Sequence, residues 1–260
     1  MKFLVLGDTH GNLRNFQQWI DYCVFYDIRL IFQVGDFGYF PNLSDYDQFV
    51  PDLNKYASAR NIKIMFVHGN HDDLSDLYNG HGRYGNGKVI QIASNVYWTP
   101  TGVPFDIEDL HCMSVGGAYS IDQHMRTAGI DYFPEETLTW GDVEQCCIHP
   151  EKFDIIFSHD CPSEVDLDID LIPGADSNRH QLQAIVEHCK PKWLFHGHYH
   201  HFHDTVMKIG KNKTRVIGLN RDGRNFQAAT FSTLTNEIKI IKDFHILGQI
   251  LRDAYDEGNK

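Results

Sequence analysis

A chain of 260 residues that is 42% hydrophobic and 13% aromatic has enough apolar material to bury a full core, in one large domain or two small ones. No apolar run approaches the roughly 18 residues that cross a bilayer, and Met1-Lys2 leads into a strand-like run without a small-residue cleavage site, so a cytoplasmic protein with neither membrane span nor signal peptide is expected. The 35 acidic against 23 basic residues leave a formal charge of −12, which disfavours stable binding to duplex DNA, where phosphate neutralisation drives affinity.

In chain order, residues 2–6 (KFLVL) form a continuous apolar run that ends on Gly7-Asp8. Residues 12–25 follow, with Leu13, Phe16, Ile20 and Cys23 at helical spacing. Residues 30–34 (LIFQV) make a second strand candidate, before a loop, a helical segment near 44–60 and a third apolar run at 62–67 (IKIMFV). The middle is less regular. Residues 89–92 and 96–98 read as short paired strands, 111–115 (HCMSV) lead into Gly116-Gly117, and 139–147 are weakly helical. The alternation resumes with 154–157 (DIIF), a helix around 179–189 and 193–195 (WLF). Strands are expected at 206–209, 214–218, 228–232 and 237–241, and a closing helix at 244–254.

Continuous apolar strands interleaved with helices imply strands covered on both faces, hence an α/β fold. No linker, repeat or low-complexity segment interrupts the pattern, so one domain over residues 1–260 is expected. Two sheets face to face with helices outside accommodate the strand count. The six cysteines form no CxxC pair and read as small core residues or incidental thiols.

Five polar clusters break the chain, each directly after an apolar strand. They are Gly7-Asp8-Thr9-His10-Gly11-Asn12, Gly35-Asp36-Phe37-Gly38, Gly69-Asn70-His71-Asp72, Ser158-His159-Asp160 and His196-Gly197-His198-Tyr199-His200. Ligands of open α/β sheets bind beyond the carboxyl ends of the strands, so five strands would deliver these groups to one rim. In an extended segment Asp8 and His10, and likewise His198 and His200, project to the same side. Glycines beside them allow the sharp turn from strand to loop. Carboxylate, amide and imidazole ligands without thiolate suit manganese, iron, zinc or nickel.

This ordered set resembles the calcineurin-like metallophosphoesterases, whose pattern runs Asp-x-His, Gly-Asp, Gly-Asn-His-Asp/Glu, His, Gly-His-x-His, here over residues 4–200. The resemblance implies a four-layer αββα sandwich of two packed mixed β-sheets flanked by helices. It also implies two divalent metal ions, manganese foremost, with iron, zinc or nickel as alternatives. Carried over by position, Asp8, His10 and His200 would hold one metal, Asn70, His159 and His198 the other, and Asp36 would bridge both. Asn70 and His71 would also face the substrate. His71 matches the family histidine near the scissile phosphate that binds no metal. Two cations about 3.5–4 Å apart clamp a phosphoryl group and ionise a shared water, whose pKa falls from about 16 to roughly 7. In-line attack by that hydroxide, with proton donation by His71, needs no covalent intermediate.

One position departs from the protein-phosphatase relatives. They carry an Asp three residues after the bridging Asp, where it orients the catalytic His, and here that residue is Tyr39. A phosphorylated small molecule, nucleotide or nucleic-acid end therefore ranks ahead of a phosphoprotein as substrate. The alternatives are a serine/threonine-type protein phosphatase and a catalytically silent metal-binding scaffold. Arg126, in a segment similar to one in bacterial and phage members, is a candidate for gripping a substrate phosphate, with a salt bridge to Asp122 as the competing role. Arg221 and Arg224 read as a solvated turn, and Phe37, Tyr39 and Phe40 as packing beneath a loop. His201 is expected to point away from His200. Oligomeric state and the role of residues 206–260 are left open by the sequence.

Overall fold

Along β1 (Lys2–Leu6), Phe3 and Val5 enter one apolar core and Leu4 and Leu6 another. A strand alternates faces, so burial of both faces is what makes the run continuously apolar. The structure is a computed structural model that describes residues 1–149, 152–169, 174–243 and 248. After β1 come α1 (Leu13–Phe25), β2 (Leu30–Gln33), α2 (Phe49–Ser58), β3 (Lys63–Phe66), α3 (Leu74–Tyr78), β4 (Ile90–Ala93) and β5 (Val96–Trp98). Then follow β6 (Pro104–Ile107), β7 (Leu110–Val115), α4 (Trp140–Cys147), β8 (Ile155–Ser158), α5 (Ala175–Cys189) and β9 (Trp193–His196). The described part ends with β10 (His203–Ile209), β11 (Asn212–Gly218), β12 (Ala228–Ser232) and β13 (Glu237–Ile241).

One sheet has the order β13-β12-β1-β2-β3-β5-β4 and the other β10-β11-β9-β8-β7-β6. Within the first, β1, β2 and β3 are parallel; within the second, β7, β8, β9 and β11 are. Antiparallel strands close the edges of both, so both sheets are mixed. The sheets pack face to face through an aromatic core, with Phe32 over Phe157 at 3.7 Å between ring centroids. On the outer face of the first sheet, Phe16, Trp19 and Ile20 of α1 and Leu53 and Ala57 of α2 cover Leu4, Leu6 and Ile31. On the outer face of the second, Val143 and Cys146 of α4 and Leu182, Ile185 and Val186 of α5 cover Met113, Ile156 and Leu194. The four layers expected from the resemblance are present.

Several boundaries differ from the sequence reading. Helix α2 begins at Phe49 and not near 44, with Pro51 in its first turn, where a missing N–H leaves no helical bond unmade. Strand β6 was not foreseen. It starts on Pro104 and lies at a sheet edge, where a proline need not donate to a neighbour. Strand β10 starts at His203 and α5 at Ala175. The expected helix at 244–254 lies outside the described residues, apart from residue 248. The tail acquires a structural role: β10 and β11 extend one sheet, and β12 pairs with β1 in the other. Among the described residues, no helix is long and apolar enough to cross a membrane.

Candidate metal centre

The five polar clusters leave the carboxyl ends of β1, β2, β3, β8 and β9, and they meet. Oδ2 of Asp36 lies 3.8 Å from Nδ1 of His10, while its other oxygen lies 3.2 Å from Nε2 of His159. On the first side, Nε2 of His200 is 3.1 Å from Oδ2 of Asp8 and 3.1 Å from Nε2 of His10. Ligand atoms of Asp8, His10, Asp36 and His200 all lie within 4.8 Å of one another. On the second side, Oδ1 of Asn70 is 3.0 Å from Nε2 of His159, and the His198 ring stands 5.1 Å from that of His159. The structure thus brings together all seven residues singled out as ligands.

The backbone reaches this arrangement differently from the expectation. His10, Asp36, His198 and His200 have φ of 45, 52, 68 and 52°, so neither His10 nor His198 lies in an extended segment. The alternation that would put Asp8 with His10, and His198 with His200, on one side does not apply. Left-handed turns at non-glycine residues aim the side chains instead, at a conformational cost typical of functional sites. Neighbouring glycines supply room as well as turning. A Cβ on Gly35 would stand 2.3 Å from Nδ1 of His159, one on Gly69 2.2 Å from Oδ1 of Asp36, and one on Gly197 1.9 Å from Oδ1 of Asp8.

Hydrogen bonds outside the cluster orient its members. Nδ1 of His159 lies 2.9 Å from the carbonyl of Val34, which puts the proton there and leaves Nε2 to face the oxygens of Asp36 and Asn70. Nδ2 of Asn70 donates to Oγ of Ser120, which turns Oδ1 inward. Backbone N–H of His198 donates to both oxygens of Asp8 at 3.1 Å. Burial raises the Asp36 carboxyl, but His159, His71 and His10 outweigh it and hold it well below the usual carboxylate range. Burial lowers the His159 imidazole, yet Asp36 prevails and keeps it up at about 10. His198 is depressed to about 3, first by burial and then by the charge of His159. Two carboxylates, an amide oxygen and four imidazoles converging at one rim fit divalent cations, which on binding would take the place of the proton that Asp36 holds on His159.

His71 stands beside this cluster, with its backbone N–H donating to Oδ1 of Asp36 at 2.8 Å and its ring 5.6 Å from that of His10. Of the two roles weighed for Arg126, the structure shows the salt bridge to Asp122. The same Nη2 lies 2.8 Å from Nε2 of His71. Tyr39 is buried and donates its hydroxyl to Asp76, away from His71. Asp72 is a positioning residue that sequence reasoning set aside. Its carboxylate accepts backbone N–H from Gly38 and Tyr39 and from Gly69, tying the loop after β2 to the loop after β3. Ser120 was missed too, although it lies between Gly116-Gly117 and Arg126. His201 is exposed, as is His200, and the left-handed turn at His200 removes the extended geometry from which an outward His201 was expected. Asp222, beside Arg221, donates its backbone N–H to the carbonyl of Asp8, so the Arg221–Arg224 turn buttresses the first ligand loop.

A cavity of about 350 Å³ opens over the cluster, lined on its polar side by Asp36, Asn70, His71, Asp122, His198 and His200. Ile121, Ile169, Ala175 and Tyr199 form the rest of its wall.

The family model for the calcineurin-like phosphoesterases matches residues 1–202. Among solved structures, the chain is similar to the protein TT1561 of Thermus thermophilus (10% identity, TM-score 0.56, 93% of this chain and 98% of that one). It is also similar to a dimetal phosphatase from Danio rerio (12% identity, TM-score 0.52, 88% of this chain and 91% of that one). At such identities the likeness is one of fold. No curated protein matches the chain.

Proposed function

The chain belongs to the calcineurin-like phosphoesterase family, a metal-dependent phosphoester hydrolase by that membership, and from this premise we propose a two-cation centre acting on small phosphorylated substrates. Asp8, His10 and His200 hold one divalent cation, Asn70, His159 and His198 the other, and Asp36 is shared. The single observation that carries this reading is the split of the Asp36 carboxylate, one oxygen toward His10 and the other toward His159. Bound cations supply the Lewis acidity that ionises a water near neutral pH and neutralises charge on phosphoryl oxygens. His71 stands at the rim of the cavity, where its remaining ring N–H is placed to hydrogen-bond the phosphoryl group and stabilise the transition state, and Asn70 contributes to holding the phosphate there. Oxygen and nitrogen donors without sulfur suit manganese, iron, zinc or nickel alike, and manganese is put first on the family resemblance.

A nucleotide or nucleic-acid end is the substrate class favoured here, as a phosphomonoester or phosphodiester. Tyr199 and the isoleucines of the cavity wall give a base or sugar an apolar surface beside the cluster. The test is hydrolysis of an aryl phosphate monoester against a bis-aryl phosphodiester, with and without Mn²⁺. Metal-stimulated turnover of at least one, lost in Asp36→Asn protein that remains folded, is the expected result. Full activity in folded, metal-stripped protein rejects the mechanism.

A further inference from the structure

A second convergence of ligand-type side chains lies beside the centre, on the second sheet. Cys161 follows His159 by two residues, His196 ends β9 just before the Gly197-His198 turn, and His203 opens β10. Ligand atoms of these three all lie within 4.8 Å of one another. Cys161 and His196 are fully buried, and His203 is half-buried at the edge.

Three features of the surroundings suit a cation. Nδ1 of His196 lies 2.9 Å from the Gly197 carbonyl, a contact that needs a proton on Nδ1 and leaves the Nε2 lone pair free. Metal-ligating imidazoles are commonly oriented by this kind of contact. That Nε2 faces Nε2 of His203 at 3.0 Å, while Nδ1 of His203 is buried with no hydrogen-bond partner among the described residues. Space for the two rings exists only because β11 presents Gly218 to them. A Cβ there would stand 2.4 Å from Cε1 of His203 and 3.0 Å from Cε1 of His196.

We infer that Cys161, His196 and His203 form a cation site separate from the catalytic centre, for a borderline-soft divalent ion of the zinc class. One thiolate and two imidazoles are zinc ligands, and three protein ligands leave a fourth tetrahedral position for water. Bonds of roughly 2.3 Å to sulfur and about 2.0–2.1 Å to nitrogen require the three side chains to close in by on the order of 1 Å. Binding replaces the thiol proton, which goes to solvent, and nothing is oxidised or reduced. Sulfur distinguishes this site from the oxygen and nitrogen donors next to it, so the two sites sort different metals. Arg179 runs past Cys161, its guanidinium donating to the carbonyls of Cys161, Pro162 and Val165. Its charge opposes a cation, so the thiol site fills after the catalytic one. A cation here pins together the loops that carry His159 and His198.

The experiment is a titration of intact, metal-stripped protein with Co²⁺, read by the thiolate-to-cobalt charge-transfer absorption. The proposed catalytic ligands include no sulfur, so this band reports the thiol site alone. The expected result is a band that grows in after the two catalytic equivalents, accounts for one Co²⁺ per chain and bleaches on adding Zn²⁺. It is lost in both Cys161→Ser and His203→Asn and kept in Cys147→Ser and Asp36→Asn. Retention in Asp36→Asn separates this site from the two-cation reading, and the half-buried position of His203 gives a second variant should Cys161→Ser not fold. Absence of the band in folded wild-type protein, or its persistence in either Cys161→Ser or His203→Asn, overturns the inference.

Discussion

Nη2 of Arg126 lies 2.8 Å from Nε2 of His71, a nitrogen that can only donate against one that must therefore accept. The contact puts the His71 proton on Nδ1 and leaves the ring neutral. Burial lowers the His71 pKa in the same direction, with the charge of Arg126 adding to it and that of Asp36 opposing. Arg126 is itself held by Asp122 and by the carbonyls of Asn70 and Asp131. A cationic partner thus stands beside the histidine, and Tyr39, at the position of the protein-phosphatase carboxylate, is turned to Asp76.

The first prediction concerns this pair. His71→Ala is expected to lower kcat by about 10²–10³-fold, the usual range for loss of a donor aimed at charge that develops in the transition state. Arg126→Lys keeps the charge and loses the planar fork, and is expected to lower kcat by about 10–100-fold with a smaller change in KM. In the His71→Ala background, Arg126→Lys should cost little more. Strictly additive losses in steady-state kinetics would show that Arg126 does not act through His71.

Gly197→Ala drives a Cβ into Oδ1 of Asp8, at 1.9 Å in the unrelaxed structure. Metal affinity is expected to fall about 10–100-fold, as seen when a ligand's support is disturbed. Gly141→Ala is the control, since a Cβ in that helix meets nothing closer than 3.4 Å. It should raise stability by about 0.5–1 kcal/mol. Metal analysis after dialysis decides the matter, and equal metal content in both variants would refute the steric account.

Asp72→Asn sets an amide NH₂ against backbone N–H donors that now meet carboxylate oxygens. The amide can keep either the buried Oδ1 bonds from Gly38 and Tyr39, at 2.9 and 2.8 Å, or the buried Oδ2 bond from Gly69, at 2.8 Å, but not both. A destabilisation of about 1–3 kcal/mol is expected in urea unfolding, together with weaker metal retention as the two loops separate. Unchanged stability would mean that the loops hold their spacing without this carboxylate.

Glu136 carries the pH prediction. Burial pushes its carboxyl up to about 7, with Ser120 N–H on Oε1 and Arg126 only 4.0 Å from the otherwise unpartnered Oε2. The folded state therefore binds this proton more tightly than the unfolded one. Its contribution to stability is full below about pH 4.5, falls as pH rises through 7, and is gone above. Glu136→Gln should remove this slope, so that the variant melts higher than wild type at pH 8 and close to it at pH 5. Parallel melting curves across that range would count against a protonated Glu136.

Much of the fold was legible because burial leaves a periodic trace. The run Phe3–Leu6 is apolar throughout since both of its faces are covered, and α1 shows its buried stripe at Phe16, Ile20 and Cys23. Strand β6 left no such trace, being a short edge strand with Pro104, partly exposed Phe105 and exposed Asp106. Donor chemistry was equally legible, because Asp, Asn and His after strand ends are few enough to stand out. Asp72 stood out as the last residue of the Gly-Asn-His-Asp pattern, but nothing local reveals that its oxygens meet N–H groups from 33 and 34 positions away.

The sequence by itself determined the layering, the rim on which the polar groups gather and the kinds of atom they offer. These follow from which residues avoid water and where strands stop. Tertiary structure alone decided which way those groups point: the left-handed turns at His10, Asp36, His198 and His200, the two-sided Asp36 carboxylate, Arg126 against His71, and Cys161 beside His196 and His203. Side-chain direction in a loop is set by contacts between strands of two different sheets, and such contacts leave no periodic signature along the chain.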